Sequence, residues 1–321
     1  MNNINFSVVI PLYNKIKYIK ETIDSVLKQT LPADEIIVVN DGCTDGGDKL
    51  VRQTFPYIKM IEQPNTGVAA ARNLGLKESK NEWVALLDAD DLWSKNHLLE
   101  LSGIILEHSD ARLVSSSWIE ATSPEINLDE NENLLSNRRI VDFFAASTER
   151  DVVCSSAVAL HRETALKLGG FRHYKTGEDS DLWARLALHY PVAISDKVTA
   201  VYRRVPNSTM AIFGTVRQFR EKKNDYPKGY EDLEKELKVI SDAITSGEHK
   251  VSTKILKKYL DALLFRKARQ LLVRGDTKRV RAYLSLVRNK RIMKYRVLMT
   301  LTVLPDYVVW TMFKIRRIIK K

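Results

Sequence analysis

Cysteine is nearly absent from this 321-residue chain: there are two, Cys43 and Cys154, far apart and without a Cys-x-x-Cys pair. That excludes a disulfide scaffold and a structural zinc site, and it predicts a reducing compartment. The six histidines, at 97, 108, 161, 173, 189 and 249, include no close pair with ligand spacing, so they read as surface or packing residues. Glycine is sparse at 13 residues, and neither a G-x-G-x-x-G turn nor a G-x-x-x-x-G-K-[ST] loop occurs. The two glycine-rich ways of cradling phosphates are thereby removed, which favours a metal for any diphosphate. No G-x-S-x-G elbow offers a serine nucleophile. The start, Met1-Asn2-Asn3-Ile4-Asn5, runs straight into strand-like sequence without a secretory pattern, so a cytoplasmic setting is expected.

What the chain has in excess is positive charge, unevenly placed. The net charge is +11. Residues 1–214 hold 23 Lys/Arg against 29 Asp/Glu, whereas residues 215–321 hold 28 against 11. The whole basic excess lies in the last third, which predicts an acidic front part for chemistry and a basic rear part for an anionic surface. A boundary is expected near residues 206–228, rich in Pro, Asn, Gly and Lys.

In the front part, short apolar runs alternate with helical spacing. Ser7–Pro11, Glu35–Asn40, Tyr57–Gln63 and Trp83–Leu87 read as buried strands, the first ended by Pro11. Lys15–Gln29, a segment from about Asp48, and one before Trp83 read as amphipathic helices. That alternation implies a mainly parallel α/β sheet flanked by helices, with ligands at the carboxyl ends of its strands. At one such end Asp88-Ala89-Asp90-Asp91 crowds three carboxylates into four positions. Such a cluster is costly to bury unless a cation joins it, and hard oxygen ligands suit Mg²⁺ or Mn²⁺. The alternative is a strand-to-helix loop whose acidic residues cap a helix. Asp41, Asn65, Gly67, Arg72 and the Gly177-Glu178-Asp179 run fall at other strand ends or helix starts.

The ordered segments Ser7–Asn14, Asn40–Asp45, Asn65–Asn73, Asp88–Asp91 and Gly177–Asp179 resemble the successive motifs of family 2 glycosyltransferases with the Rossmann-like GT-A fold. The resemblance covers roughly residues 5–210 and implies a GT-A catalytic domain over 1–214, followed by a helical region over 215–321. It implies that Pro11, Tyr13, Asp41 and Arg72 hold the uracil of a UDP-sugar, with Asn14, Asn65 and Gly67 lining the nucleotide-sugar site. Asp88 would bind ribose or donor sugar, and Asp90 would bind Mn²⁺ or Mg²⁺. Asp179 would be the general base of an inverting transfer, with Glu178, Asp91 and Trp93 supporting the acceptor side. Trp93 and Trp183 are also read as core residues. Two departures stand out: Cys43 replaces the family's usual Ser, and Val205 replaces the His of its Y-R-x-H-x-x-S segment. The second leaves Arg203, Arg204 or Ser208 as diphosphate ligands.

Residues 291–321 contain eight Lys/Arg and one Asp. From Tyr307, Val308, Met312, Ile315 and Ile319 share one helical stripe, with Lys314, Arg317 and Lys321 opposite. Its longest apolar run falls far short of the roughly 20 residues of a spanning helix, so the segment reads as an amphipathic helix on an anionic membrane surface. The alternative is a helical cap on the catalytic domain. Nucleic acid is not expected, since no recognition module accompanies the charge. The combined expectation is a transferase on the inner face of a bacterial membrane, acting on a glycan acceptor linked to a polyprenyl diphosphate in surface polysaccharide assembly. A non-catalytic sugar-nucleotide-binding or scaffold subunit, and a soluble transferase acting on protein or a small acceptor, are the alternatives.

Overall fold

The first apolar run becomes the strand β1 (Phe6–Leu12), an interior strand of the sheet. The structure, a computed structural model, describes residues 4–121, 136–174, 177–205, 230–273, 277–287 and 298–300. In chain order β1 is followed by α1 (Ile19–Leu27), β2 (Glu35–Asp41), α2 (Gly47–Thr54), β3 (Lys59–Gln63), α3 (Val68–Glu78) and β4 (Trp83–Leu86). Then come β5 (Leu92–Trp93), α4 (His97–Glu107), β6 (Leu113–Ala121), β7 (Arg138–Val141) and α5 (Phe143–Ala146). A 3-10 turn (Ser155–Ala157) leads into β8 (Val158–His161), α6 (Arg162–Lys167), α7 (Glu178–His189) and β9 (Val192–Arg203).

Among the described residues these strands form one nine-stranded sheet in the order β3-β2-β1-β4-β8-β6-β9-β5, with β7 also on β9. β3, β2, β1 and β4 are mutually parallel, each joined to the next in sequence by a helix that crosses over the sheet. The second half is mixed. β8 runs antiparallel to β4 and β6, β9 runs parallel to β6, and β5 and β7 run antiparallel to β9. Phe6, Val8, Ile10 and Leu12 of β1 belong to the same core as Ile19, Ile23 and Val26 of α1 and Leu98, Leu101 and Ile104 of α4. Val9 points the other way, against α3.

Pro11 does not end β1, contrary to the sequence expectation. The β4 register stops at Val9–Leu86, so beyond it β1 pairs with β2 alone, and a missing N–H is tolerated at such an edge. α1 begins at Ile19 because Lys15–Tyr18 form a turn, with the Lys15 carbonyl accepting from the N–H groups of Tyr18 (2.9 Å) and Ile19 (3.0 Å).

By its internal contacts the chain divides into two compact units, residues 1–146 with 150–206, and 147–149 with 207–321. In the second, α8 (Tyr230–Ser246), α9 (Thr253–Val273) and α10 (Thr277–Leu286) follow one another, with α9 packed on both others. Leu256, Leu260, Leu263 and Leu264 of α9 are buried, as are Val280 and Leu284 of α10. No helix among the described residues is long and apolar enough to cross a membrane. Residues 291–297 and 301–321 of the expected membrane segment lie outside the described residues.

Candidate active site

At the end of β2 the Asp41 carboxylate is buried and already well supplied with donors. It accepts from the N–H groups of Thr66 (2.8 Å) and Gly67 (2.9 Å) and from Gln63 Nε2 (2.6 Å). Gly67, with φ near +95°, turns the chain into α3 and presents its N–H to Asp41. A carboxylate has about four acceptor positions, so one remains open. The neighbouring turn is laced to β1. Asn14, left-handed at φ +51°, accepts from the Thr44 N–H at 2.8 Å. Cys43 Sγ lies 3.5 Å from the Leu12 carbonyl and 3.4 Å from the Asn14 N–H. The thiol therefore does the bridging a Ser hydroxyl would do, and burial pushes its pKa up to about 11, so it stays protonated. Tyr13 and Asn65 are exposed at this rim.

The acidic run after β4 is a tightly braced loop. Asp88 accepts from Arg72 Nη2 at 2.7 Å, and its N–H donates to Ser156 Oγ at 3.1 Å. Asp90 forms an ion pair with Lys15. Asp91 is fully buried, accepting from Ser156 Oγ (2.5 Å) and the Arg203 N–H (2.8 Å). Burial, then the neighbouring charges of Asp88 and Asp90, pushes the Asp91 pKa well above the usual carboxylate range. Arg203 donates through Nε to the Asp90 carbonyl, through Nη1 to Glu21 (2.5 Å) and through Nη2 to Thr22 (3.3 Å). Its guanidinium also lies over the Tyr18 ring at 5.1 Å.

α7 presents its N-terminus to this loop. Gly177 is left-handed, and Glu178, Asp179 and Asp181 crowd the first turn, where the helix dipole favours negative charge. Arg72 Nη1 reaches Glu178 at 2.8 Å, so one buried guanidinium joins α7 to the Asp88 loop. Burial, together with the charge of Asp179, lifts the Glu178 pKa to about 7 in spite of Arg72. Asp179 accepts from Ser155 Oγ at 2.9 Å and from the Ser180 N–H at 2.7 Å, and its side chain is only half-buried.

Residues 7–164 match the family model described as Glycosyl transferase family 2. That stretch is a family 2 glycosyltransferase domain. Over 190 residues, 56% of this chain and 21% of the relative, the sequence is 30% identical to the minor teichoic acid biosynthesis protein GgaB of Bacillus subtilis. The stretches shared with the first curated relatives span 16% to 28% of those relatives' lengths. In fold the chain is similar to residues 1–349 of S. aureus TarS, solved with UDP-GlcNAc: TM-score 0.65, 18% identity, 97% of this chain and 92% of that one. It is also similar to the mannosyltransferase PcManGT of Pyrobaculum calidifontis, solved with GDP-Man and Mn²⁺: TM-score 0.55, 19% identity, 97% and 87% covered. The family 2 match ends before α7, so Glu178 and Asp179 enter the site from beyond it.

Against this family 2 geometry the expected site residues separate. Asp88, Asp90, Asp91, Arg72, Glu178 and Asp179 come together, while Pro11, Tyr13, Asn14, Asp41, Asn65 and Gly67 cluster around the ends of β1 and β2. Arg72 sits between acids rather than at Asp41. Arg203 is buried, and its Nε, Nη1 and Nη2 are directed to the Asp90 carbonyl and to Glu21 and Thr22 of α1. Arg204 is exposed and paired with Glu120, and Ser208 lies outside the described residues. Trp93 and Trp183 are core residues: Trp93 stacks on buried His97 at 4.2 Å and donates to the Ser156 carbonyl at 2.6 Å, and Trp183 packs edge-on to Phe171. Sequence reasoning missed Lys15, Ser155 and Ser156. Lys15 adjoins the Tyr13-Asn14 motif and was open to detection, whereas the two serines arrive on the antiparallel β8 side without any local signal.

The chemistry of the acidic loop is compatible with a divalent ion. Asp88 and Asp90 are each paired with a single cation, Arg72 and Lys15, and both side chains are partly exposed. No group of three His, Cys, Asp or Glu side chains there could form an all-protein cage. One or two carboxylates, completed by phosphate oxygens, suit Mg²⁺ or Mn²⁺.

Proposed function

We propose that the chain is a metal-dependent, inverting glycosyltransferase that moves a sugar from a UDP-sugar to a hydroxyl of a glycan acceptor. The observation that carries this reading is the Arg72 bridge, which draws the Asp88–Asp91 loop and the acidic N-terminus of α7 to one place. Asp179, half-buried and held by the Ser155 hydroxyl, takes the proton from the acceptor hydroxyl. The acceptor oxygen then attacks the anomeric carbon as the bond to UDP breaks, and one in-line displacement inverts that centre. Asp90 would hold Mn²⁺ or Mg²⁺, which when bound supplies positive charge to the departing diphosphate, and Asp88 would bind the ribose or donor sugar. Pro11 and Tyr13 flank the uracil, and Asp41 accepts from it with its one remaining site. Glu178, Arg72 and Asp91 fix the loop. The named ligands of similar folds, UDP-GlcNAc in one and GDP-Man with Mn²⁺ in another, support a nucleotide-sugar donor and a divalent ion. The teichoic acid relative supports a surface-polysaccharide acceptor, for which a lipid-linked form and attachment of residues 291–321 to the inner membrane face are the natural setting.

The test is UDP release from a panel of UDP-sugars with Mn²⁺ and acceptor glycan. Asp179→Asn is expected to lower kcat by about 10²–10⁴-fold, the usual worth of a positioned base, with UDP affinity nearly unchanged. Full turnover in that variant removes Asp179 as base. Saturable UDP-sugar binding without turnover in the unaltered protein establishes a binding subunit instead.

A further inference from the structure

Three cations face the acidic loop, and two of them are buried and shared between several partners. Arg72 is divided between Asp88 and Glu178, and Arg203 between Glu21, Thr22 and the Asp90 carbonyl. Lys15 is different. Its ammonium carries three donors and makes one ion pair among the described residues, with Asp90, 75 positions away in sequence. The two side chains are 24% and 14% exposed, so the pair sits at the open edge of the loop rather than inside it.

The backbone beneath Lys15 is fixed. Asn14 before it is left-handed and tied to the Thr44 N–H, and the Lys15 carbonyl caps the turn into α1. The four-carbon stem above that anchor is free to turn, and a compact ammonium on a flexible stem can exchange one anion for another. Donor binding brings a diphosphate to the same edge, where Asp88, Asp90 and Asp179 would otherwise repel it.

We propose that Lys15 is a placeholder cation: in the donor-free protein its ammonium neutralises Asp90, and on donor binding it passes to the diphosphate as a divalent ion takes its place on the carboxylate. This deepens the transferase reading and rests on Asp90 being a metal carboxylate. Its consequence is thermodynamic. Lys15 competes with the metal when no nucleotide is present and stops competing when one is, so metal and nucleotide strengthen each other's binding. By linkage that coupling is the same measured from either ligand.

The experiment uses the full chain, Mn²⁺ and UDP, with free Mn²⁺ followed by electron paramagnetic resonance and UDP by calorimetry. Lys15→Met keeps the stem and removes the charge. It is expected to bind Mn²⁺ without UDP about tenfold more tightly than the unaltered protein, close charge pairs being commonly worth that much or more. The factor by which UDP tightens Mn²⁺ binding should shrink in the variant, and UDP affinity in chelator should fall. Lys15→Arg should restore the unaltered behaviour. A merely structural role for Lys15 would weaken Mn²⁺ binding or leave it unchanged, and either result in Lys15→Met overturns the proposal. If the unaltered protein binds Mn²⁺ in the presence of UDP and Asp90→Asn does not, the metal reading survives that overturning. If the unaltered protein takes up no Mn²⁺ with UDP, the metal reading fails and the placeholder role fails with it.

Discussion

Arg72 is a single side chain on which three segments depend, since it leaves α3, crosses to Asp88 and ends on Glu178, with its guanidinium 5.5 Å from the Phe171 ring centre. Arg72→Met would leave two carboxylates facing each other with no cation between them. Removing one partner of a buried ion pair costs about 3–5 kcal/mol, and here the loss depends on pH with a definite sign. Glu178 already titrates at about 7 in the fold, above its ordinary value, so the folded state binds the extra proton. Stability from this group is complete below the ordinary carboxylate range and is lost as pH rises through the folded value. Without Arg72 that value moves higher still, so the variant should lose most stability at pH 8 and much less at pH 5. Urea denaturation at both pH values checks this, and an equal loss at the two would separate Glu178 from Arg72. The acids of this site were legible in the sequence because they stand at strand ends and helix starts. The tasks of the arginines were not, since a guanidinium's partner is decided by which loops the sheet brings together: Arg203 is consumed by Glu21, a residue 182 positions away.

The element that sets the position of Arg72 is α3, and its fit against β1 depends on a missing side chain. A Cβ at Gly75 would lie 2.2 Å from Val9 Cγ1 and 2.9 Å from Cγ2. Gly75→Ala should gain about 1 kcal/mol of helix propensity, yet overpacking of a fully buried contact typically costs about 1–3 kcal/mol. The expected outcome is a net loss of stability in urea melts, with reduced turnover because α3 carries Arg72 one turn earlier. Val9→Ala in the same chain opens the space, so the double variant should be more stable than the sum of the two single losses predicts. Additive losses would show that α3 does not press on Val9. The parallel elements were legible because β1, β2 and β4 are largely apolar runs closed by polar residues; β3, Lys59-Met60-Ile61-Glu62-Gln63, is more polar, and Tyr57, exposed at 70%, falls outside it. The antiparallel half was not. β6 and β9 pair across some 80 residues, for example Leu113 with Val192, and neither strand direction nor partner is written in a period of two. That half delivers Ser155, Ser156 and Arg203 to the acidic loop, so the missed elements and the missed residues have one cause.

Across the whole molecule charge is segregated: the acidic excess lies with the proposed sugar-transfer site, and the basic excess lies after residue 214. The 28 Lys/Arg of the rear part against 11 Asp/Glu would favour an anionic surface as its partner. The strongest segment for this is 291–321, which joins eight Lys/Arg to the apolar stripe Val308, Met312, Ile315 and Ile319. Each basic residue near an anionic leaflet contributes about 1 kcal/mol, falling off within a Debye length, and the stripe adds burial of apolar area in the interface. Deleting 291–321 should therefore abolish co-sedimentation with vesicles containing phosphatidylglycerol. The full chain should bind these vesicles and ignore purely zwitterionic ones, and its binding should weaken as salt is raised. Because the site residues that the structure describes all precede residue 206, and Ser208 also precedes the tail, the shortened chain should still release UDP from its donor when offered a water-soluble acceptor. Unchanged sedimentation after the deletion would assign the membrane contact elsewhere. Loss of UDP release together with the tail would instead make 291–321 a cap required by the catalytic unit, the role in which its apolar stripe faces protein and not lipid.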